Sequence, residues 1–170
     1  MKNKNLENFR KKIDDIDQKI LNLIQKRAAI AVSIGKVKSK ISPNTSLYKP
    51  DREAKILRNI INSNHKGLLP NSKIRAIYKE LISGCLSLEE VLKIGYLGPE
   101  GTHSESAVHN QFGSQVIRVP SPTIDDVFNQ VMNDEVDIGV VPVENSSEGV
   151  INTTLNCLAD SNKTVSYTHR

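Results

Sequence analysis

The stretch LENFRKKIDDIDQKILNLIQKRAAIAVSIGKVKS, Leu6–Ser39, contains no proline and one glycine, Gly35. Apolar residues recur at Phe9, Ile13, Ile16, Ile20 and Leu23, then at Ile30, Ile34 and Val37, in steps of three and four. That spacing keeps them on one stripe of an α-helix. At 1.5 Å per residue the helix is about 50 Å long, more than the width of a domain of roughly 90 residues. Two short helices in the same half cannot cover so long a stripe. A homodimer through this helix is therefore expected.

Working outward, Ile41–Lys49 carries Ser, Pro, Asn and Thr and ends the helix. Pro50-Asp51-Arg52-Glu53 reads as a new helix start, with proline in the first turn and acids at the positive end of the dipole. This second helix runs to about Ile61, before the breaker Asn62–Gly67. A third begins near Pro70-Asn71-Ser72, with apolar residues at Ile74, Ile77, Leu81, Ile82, Cys85 and Leu88. At Lys93 the pattern changes. Ile94–Gly98 reads as a buried strand, Gly98–Ser104 as a turn, and a helix follows from near Ser104. Val116–Val119 is a short strand, Thr123–Asn133 an amphipathic helix and Ile138–Val143 another strand. Glu144–Gly149 is polar, and Val150–Leu158 reads as helical. The alternation implies an α/β unit with a largely parallel sheet. The expected organisation is an all-helical domain over residues 1–92 followed by an incomplete α/β domain over residues 93–170.

The charge distribution agrees with two units. The chain has 170 residues and a formal net charge of +4. Residues 1–92 hold 19 basic and 9 acidic side chains, whereas residues 93–170 hold 4 and 10. The basic half suits an anionic partner, whether nucleic acid, a membrane surface or a small substrate. No apolar run approaches the ~18 residues of a membrane helix, so membrane insertion is excluded. The first residues lead into charge rather than an apolar segment, which argues against a secretory signal. Cys85 and Cys157 are too few for a disulfide framework and lack metal-ligand spacing. A cytoplasmic protein without metal or cofactor is expected.

Several residues carry potential chemistry. Arg27 interrupts the apolar seam between Leu23 and Ile30, where a charge is costly unless paired. Lys38, eleven residues on, lies about 20° around the helix and about 16 Å along it. Such a pair of cations inside a bundle suits a small dicarboxylate; pairing of Arg27 with a partner helix is the plainer alternative. Arg52-Glu53 sets a cation beside an acid at a helix start. Glu89, four residues after Cys85, falls on the inner face of the third helix, unless it begins the exposed end with Glu90. In the second half, Gly98-x-x-Gly101-Thr102-His103-Ser104 offers backbone N–H groups and hydroxyls to an anion. Glu144 and Asn145 lie just beyond the carboxyl end of a buried strand, where open α/β sheets bind ligands.

Phe9-Arg-Lys-Lys-Ile-Asp14, Gln25-Lys-Arg27, Gly35-Lys-Val-Lys38, Asp51-Arg-Glu53 and Glu80-Leu-Ile-Ser83 together resemble the all-helical chorismate mutase domain, which forms an intertwined dimer. Tyr96–Ser104 and Val141-Pro-Val-Glu-Asn-Ser-Ser-Glu-Gly149 resemble the start of prephenate dehydratase, an α/β fold similar to the periplasmic binding proteins. The order resembles the bifunctional chorismate mutase/prephenate dehydratase family of phenylalanine biosynthesis. That resemblance implies that Arg27 and Lys38 bind the carboxylates and ether oxygen of chorismate, with Arg10 reaching in from the other subunit. It adds Arg52 to the cationic shell, gives Glu53 the ring hydroxyl and Lys49 a backbone contact, and puts Cys85 and Glu89 beside the substrate. Lys49, Cys85 and Glu89 depart from the residues of other members. Lys38, Glu89 and Arg27 are the implied catalytic set. Glu144 and Asn145, with Thr102 and Ser104, form the implied part-site for prephenate. The family's Thr-Arg-Phe motif is absent, so the chain is expected to be truncated within the dehydratase domain and inactive there. The tail Val165–His169 does not follow the family pattern and resembles a translated adapter sequence. Three readings remain beside it: a mutase with an inert appendage, a non-enzymatic small-anion-binding module, and a nucleic-acid-binding helical dimer. A nucleic-acid-binding dimer would place its cations outward, whereas the mutase reading turns Arg27 and Lys38 inward.

Overall fold

The computed structural model describes residues 2–41, 48–65, 67–145 and 149–160. The breaker at 42–47 and the tail at 161–170 lie outside the described residues. Three helices come first: α1 (Lys2–Ile41), α2 (Pro50–Ser63) and α3 (Asn71–Leu86). An α/β region follows, with β1 (Lys93–Leu97), α4 (His103–Phe112), β2 (Ile117–Ser121), α5 (Ile124–Met132) and β3 (Ile138–Val140). A short ribbon of β4 (Glu144–Asn145) and β5 (Gly149–Val150) leads into α6 (Asn152–Asp160).

With 40 residues, α1 is about 60 Å long. Its stripe stays bare within one chain: Phe9 is 61% exposed, Leu23 65% and Ile30 62%. At the head of α2, the Lys49 carbonyl accepts the amides of Arg52 and Glu53 at 3.0 and 3.1 Å, and Pro50 takes a first-turn position that needs no donor. The third helix ends earlier than its apolar repeat suggests. The Ser87 amide closes on the Ser83 carbonyl, and its hydroxyl bonds the Gly84 carbonyl at 3.0 Å. Serine competes in this way for helix carbonyls and favours a stop.

The sheet has the order β2-β1-β3, all parallel. Period-two alternation sends Ile94 and Tyr96 to one face, where they pack with Leu92 and with Val108 and Phe112 of α4. Gly95 points to the other face and pairs across the strands with Gly139. A Cβ on Gly139 would lie 2.9 Å from Val127 Cγ1, and one on Gly95 3.1 Å from Val136 Cγ2. The bare backbone of these two neighbours is what lets α5 sit close, with Val127 only 1% exposed. The third strand stops at Val140, short of Val143, because the chain turns at Pro142, whose carbonyl accepts the buried Thr154 hydroxyl at 2.7 Å. That bond fastens α6 to the strand end.

The helical and α/β regions share a packed junction. Ser114 donates to Glu80 Oε2 through its amide (3.2 Å) and its hydroxyl (2.6 Å). The Gln115 amide donates to Ser83 Oγ at 3.3 Å, and the Lys79 ammonium donates to the Asn110 carbonyl. Gly113, with φ at 77°, ends α4 directly against Ser83, whose Cβ would stand 2.7 Å from any Cβ added there. Tyr48 stacks at a tilt on Phe112, ring centroids 5.2 Å apart, and its hydroxyl accepts from Gln111 at 3.0 Å.

Candidate functional site

Two contacts define how α1 and α3 meet. Arg27 is half-buried, and its Nη1 donates to the Leu81 carbonyl at 3.4 Å. Eight residues along, Gly35 is buried against Glu89. Because Leu81 and Glu89 are also eight apart, the two elements run side by side in the same direction. Arg27 thus reaches α3 of its own chain rather than solvent. Lys38 is half-buried and lies one turn beyond Gly35 on the same side. Cys85, 5% exposed, lines α3 one turn above Leu81. Glu89 itself rides on a turn past the end of α3, its amide bonded to the Leu86 carbonyl at 2.8 Å. It reaches the α1 face through that turn, not as a continuing helix residue. Its Oε2 is buried without a hydrogen-bond partner among the described residues. Two cations and an unmatched carboxyl oxygen therefore line one side of α1.

The other implied residues are placed elsewhere. Arg10 is exposed, and it precedes Arg27 by seventeen residues, about 25 Å along one continuous helix. Within a single chain it is remote from Lys38. Arg52 is exposed, and Lys49 spends its carbonyl on the α2 cap. Glu53 lines a narrow cavity with Lys79, Ser83 and Glu90 that Arg27 and Lys38 do not touch. Burial raises the Glu53 carboxyl above its ordinary value, opposed by the charge of Lys79. Burial likewise lowers the Lys79 ammonium, against the pull of Glu53. Lys79, Glu80 and Ser83 form the face of α3 turned to α4, opposite Leu81 and Cys85. Sequence reading missed this face.

In the α/β region, the polar groups of the Gly98–Ser104 turn bond largely to one another. Thr102 Oγ1 caps α4 by accepting the Glu105 amide at 3.4 Å and donates to the Leu97 carbonyl at 3.3 Å. Glu105 Oε2 in turn takes the Gly101 amide at 2.6 Å. This reciprocal cap puts a carboxylate where an anion would need a donor. Ser104 is half-buried in the first turn of α4. An open depression follows the carboxyl ends of β1 and β2, lined by Gly98, Pro99, Glu100, Pro120, Ser121 and Pro122. Glu144 and Asn145 are exposed on β4, just past β3. The order β2-β1-β3 puts the switch point between β1 and β3, so both loops emerge where such sheets bind ligands. Among the described residues, no cluster of three or more His, Cys, Asp or Glu is arranged to hold a metal ion. Nor is any helix long and apolar enough to cross a membrane.

Residues 9–90 match the chorismate mutase type II family model, and residues 94–169 match the prephenate dehydratase model. The first region belongs to the helical mutases and the second to the dehydratases. The second match runs through the tail that the sequence reading set apart. Joined in this order, the regions make the chain a member of the bifunctional chorismate mutase/prephenate dehydratase family. Its relatives include the bifunctional chorismate mutase/prephenate dehydratase of Stutzerimonas stutzeri, 44% identical over 88% of this chain and 42% of that protein. The protein of the same name from Aquifex aeolicus is 43% identical over 92% of this chain and 43% of that one. The Escherichia coli K12 protein is 29% identical over 85% of this chain and 41% of its own. The chain thus spans about two fifths of the length of these relatives. Among solved structures, prephenate dehydratase from Streptococcus mutans aligns at a TM-score of 0.40, with 32% identity, over 43% of this chain and 38% of that one.

Proposed function

We propose that residues 1–92 form a chorismate mutase that works as a homodimer through α1, attached to the first part of a prephenate dehydratase domain beginning at residue 93. The observation that carries this is the set where α1 meets α3 and the turn after it: half-buried Arg27 and Lys38 with the unmatched Glu89 oxygen. Chorismate has two carboxylates and an ether oxygen, which call for two cations and a further donor.

The reaction is a unimolecular rearrangement. The ether C–O bond breaks as a new C–C bond forms, and neither nucleophile nor metal takes part. Holding the reactive conformer and stabilising charge on the departing oxygen is the whole catalytic task. Arg27 holds a carboxylate, and Lys38 donates to the ether oxygen. Glu89 donates there only as the protonated acid, because an ionised carboxylate accepts and repels. Arg10, remote from Lys38 in its own chain, serves the site of the partner. Cys85 lies beside this set on α3, whereas Arg52, Glu53 and Lys49 stand apart from it in the single chain.

In the α/β half, Glu144 and Asn145 are the residues proposed to face prephenate, and the Thr-Arg-Phe motif is absent from the sequence. We expect these 170 residues to give no phenylpyruvate. Both cysteines are free thiols, in keeping with the reducing cytoplasm. The deciding experiment is chorismate consumption by the purified chain beside Arg27→Ala. Saturable turnover to prephenate, reduced about 10²–10³-fold in the variant, supports the proposal. A folded helical dimer without turnover refutes it.

A further inference from the structure

The 40 residues of α1 include a single glycine, Gly35, near its C-terminal end. Glycine in a helix interior is disfavoured relative to alanine, since it loses more backbone freedom on folding. At Gly35 the surroundings supply a reason for it. A Cβ there would lie 2.7 Å from Glu89 Oε2, 2.9 Å from its Cγ and 3.0 Å from its Cδ. All three distances are shorter than normal contact. The whole end of the Glu89 side chain therefore occupies the space that any other residue at position 35 would fill. Glu89 Oε2 is also buried and without a hydrogen-bond partner among the described residues. An unmatched buried oxygen is unfavourable on its own. It becomes useful when a ligand brings its complement.

We infer that Gly35 is a positioning residue of the mutase site, the absence of its side chain being the seat that aims the Glu89 carboxyl at the ether oxygen of chorismate. The inference rests on the mutase reading and deepens it. Alanine at position 35 would not break the fold, because the colliding group is the end of a flexible side chain that swings away. Alanine is also the better helix former. Stability and activity therefore move in opposite directions, which a merely structural glycine would not produce.

The test compares the full chain with Gly35→Ala, Glu89→Ala and the double variant. Melting temperature and steady-state chorismate turnover are measured for each. In Gly35→Ala the melting temperature is unchanged or higher, kcat falls at least tenfold, and KM changes less than kcat. In the Glu89→Ala background, adding Gly35→Ala changes kcat by less than twofold, because its effect runs entirely through Glu89. Full kcat in Gly35→Ala overturns the inference. So does an equal loss with and without Glu89. A folded wild-type chain that leaves chorismate untouched overturns the mutase reading and this inference with it, whereas an active wild type beside an indifferent Gly35→Ala overturns the inference alone.

Discussion

Arg27 illustrates what a single residue in a sequence discloses. Its position on an apolar seam marks it as a buried cation, and the structure gives its partner, the Leu81 carbonyl, which no spacing rule selects. Glu89 is legible only in part. The helical repeat puts it near Cys85, but it reaches α1 on a turn closed by Leu86, and its seat is made by a glycine 54 positions earlier. A glycine in a helix signals some close approach without naming the approaching group. The chemical role of Glu89 makes its own prediction. If it donates to the ether oxygen, Glu89→Ala lowers turnover by about 10²–10³-fold, whereas Glu89→Gln, whose amide also donates, keeps most of it. Equal losses in the two variants would remove Glu89 as the donor.

The elements were largely readable from periodicity, and their contacts were not. The three helices and the strand–helix alternation follow from repeats of 3.6 and 2 residues. The strand ends, the ribbon after β3 and the pairing of Gly95 with Gly139 depend on tertiary contacts. Gly139→Ala drives a Cβ to 2.9 Å from Val127 Cγ1. Overpacking of this kind costs about 1–3 kcal/mol. In urea the variant should lose its α/β transition early, followed by near-ultraviolet signal from Tyr96, while the mutase rate stays within about twofold. The α3 face offers a second test. Burial raises the Glu53 carboxyl from its ordinary 4.5, with Lys79 opposing the shift. A raised acid keeps its proton in the folded state after the unfolded chain has lost it. Stability from this group is therefore present below pH 4.5 and is lost as pH rises through the folded value. Lys79→Met removes the opposing charge, so the folded value rises further. Its melting temperature should fall more steeply than the wild type's between pH 4.5 and 7, and Glu53→Gln in the same background should flatten the curve. An unchanged slope would show that Lys79 does not face Glu53 electrostatically.

At the scale of the whole molecule, the apolar stripe of α1 and the distance from Arg10 to Lys38 are what the proposed homodimer accounts for. The exposed Phe9, Ile13, Ile16 and Ile20 side chains need a cover that one chain lacks. In the proposed two-fold dimer, a second α1 packed on them would bring each Arg10 to the other chain's Arg27–Lys38 face. Each site then draws Arg27 from one chain and Arg10 from its partner. Arg10→Ala and Arg27→Ala should each lower turnover by about 10²–10³-fold as homodimers. When the two variants are unfolded together and refolded in equal amounts, half of the dimers are mixed. Every mixed dimer has one site with both arginines and one with neither. Activity should therefore return to about a quarter of the wild-type value, a statistical consequence of two-fold symmetry. If Arg10 acted within its own chain, every site in the mixture would lack one arginine, and refolding would recover nothing above the parents.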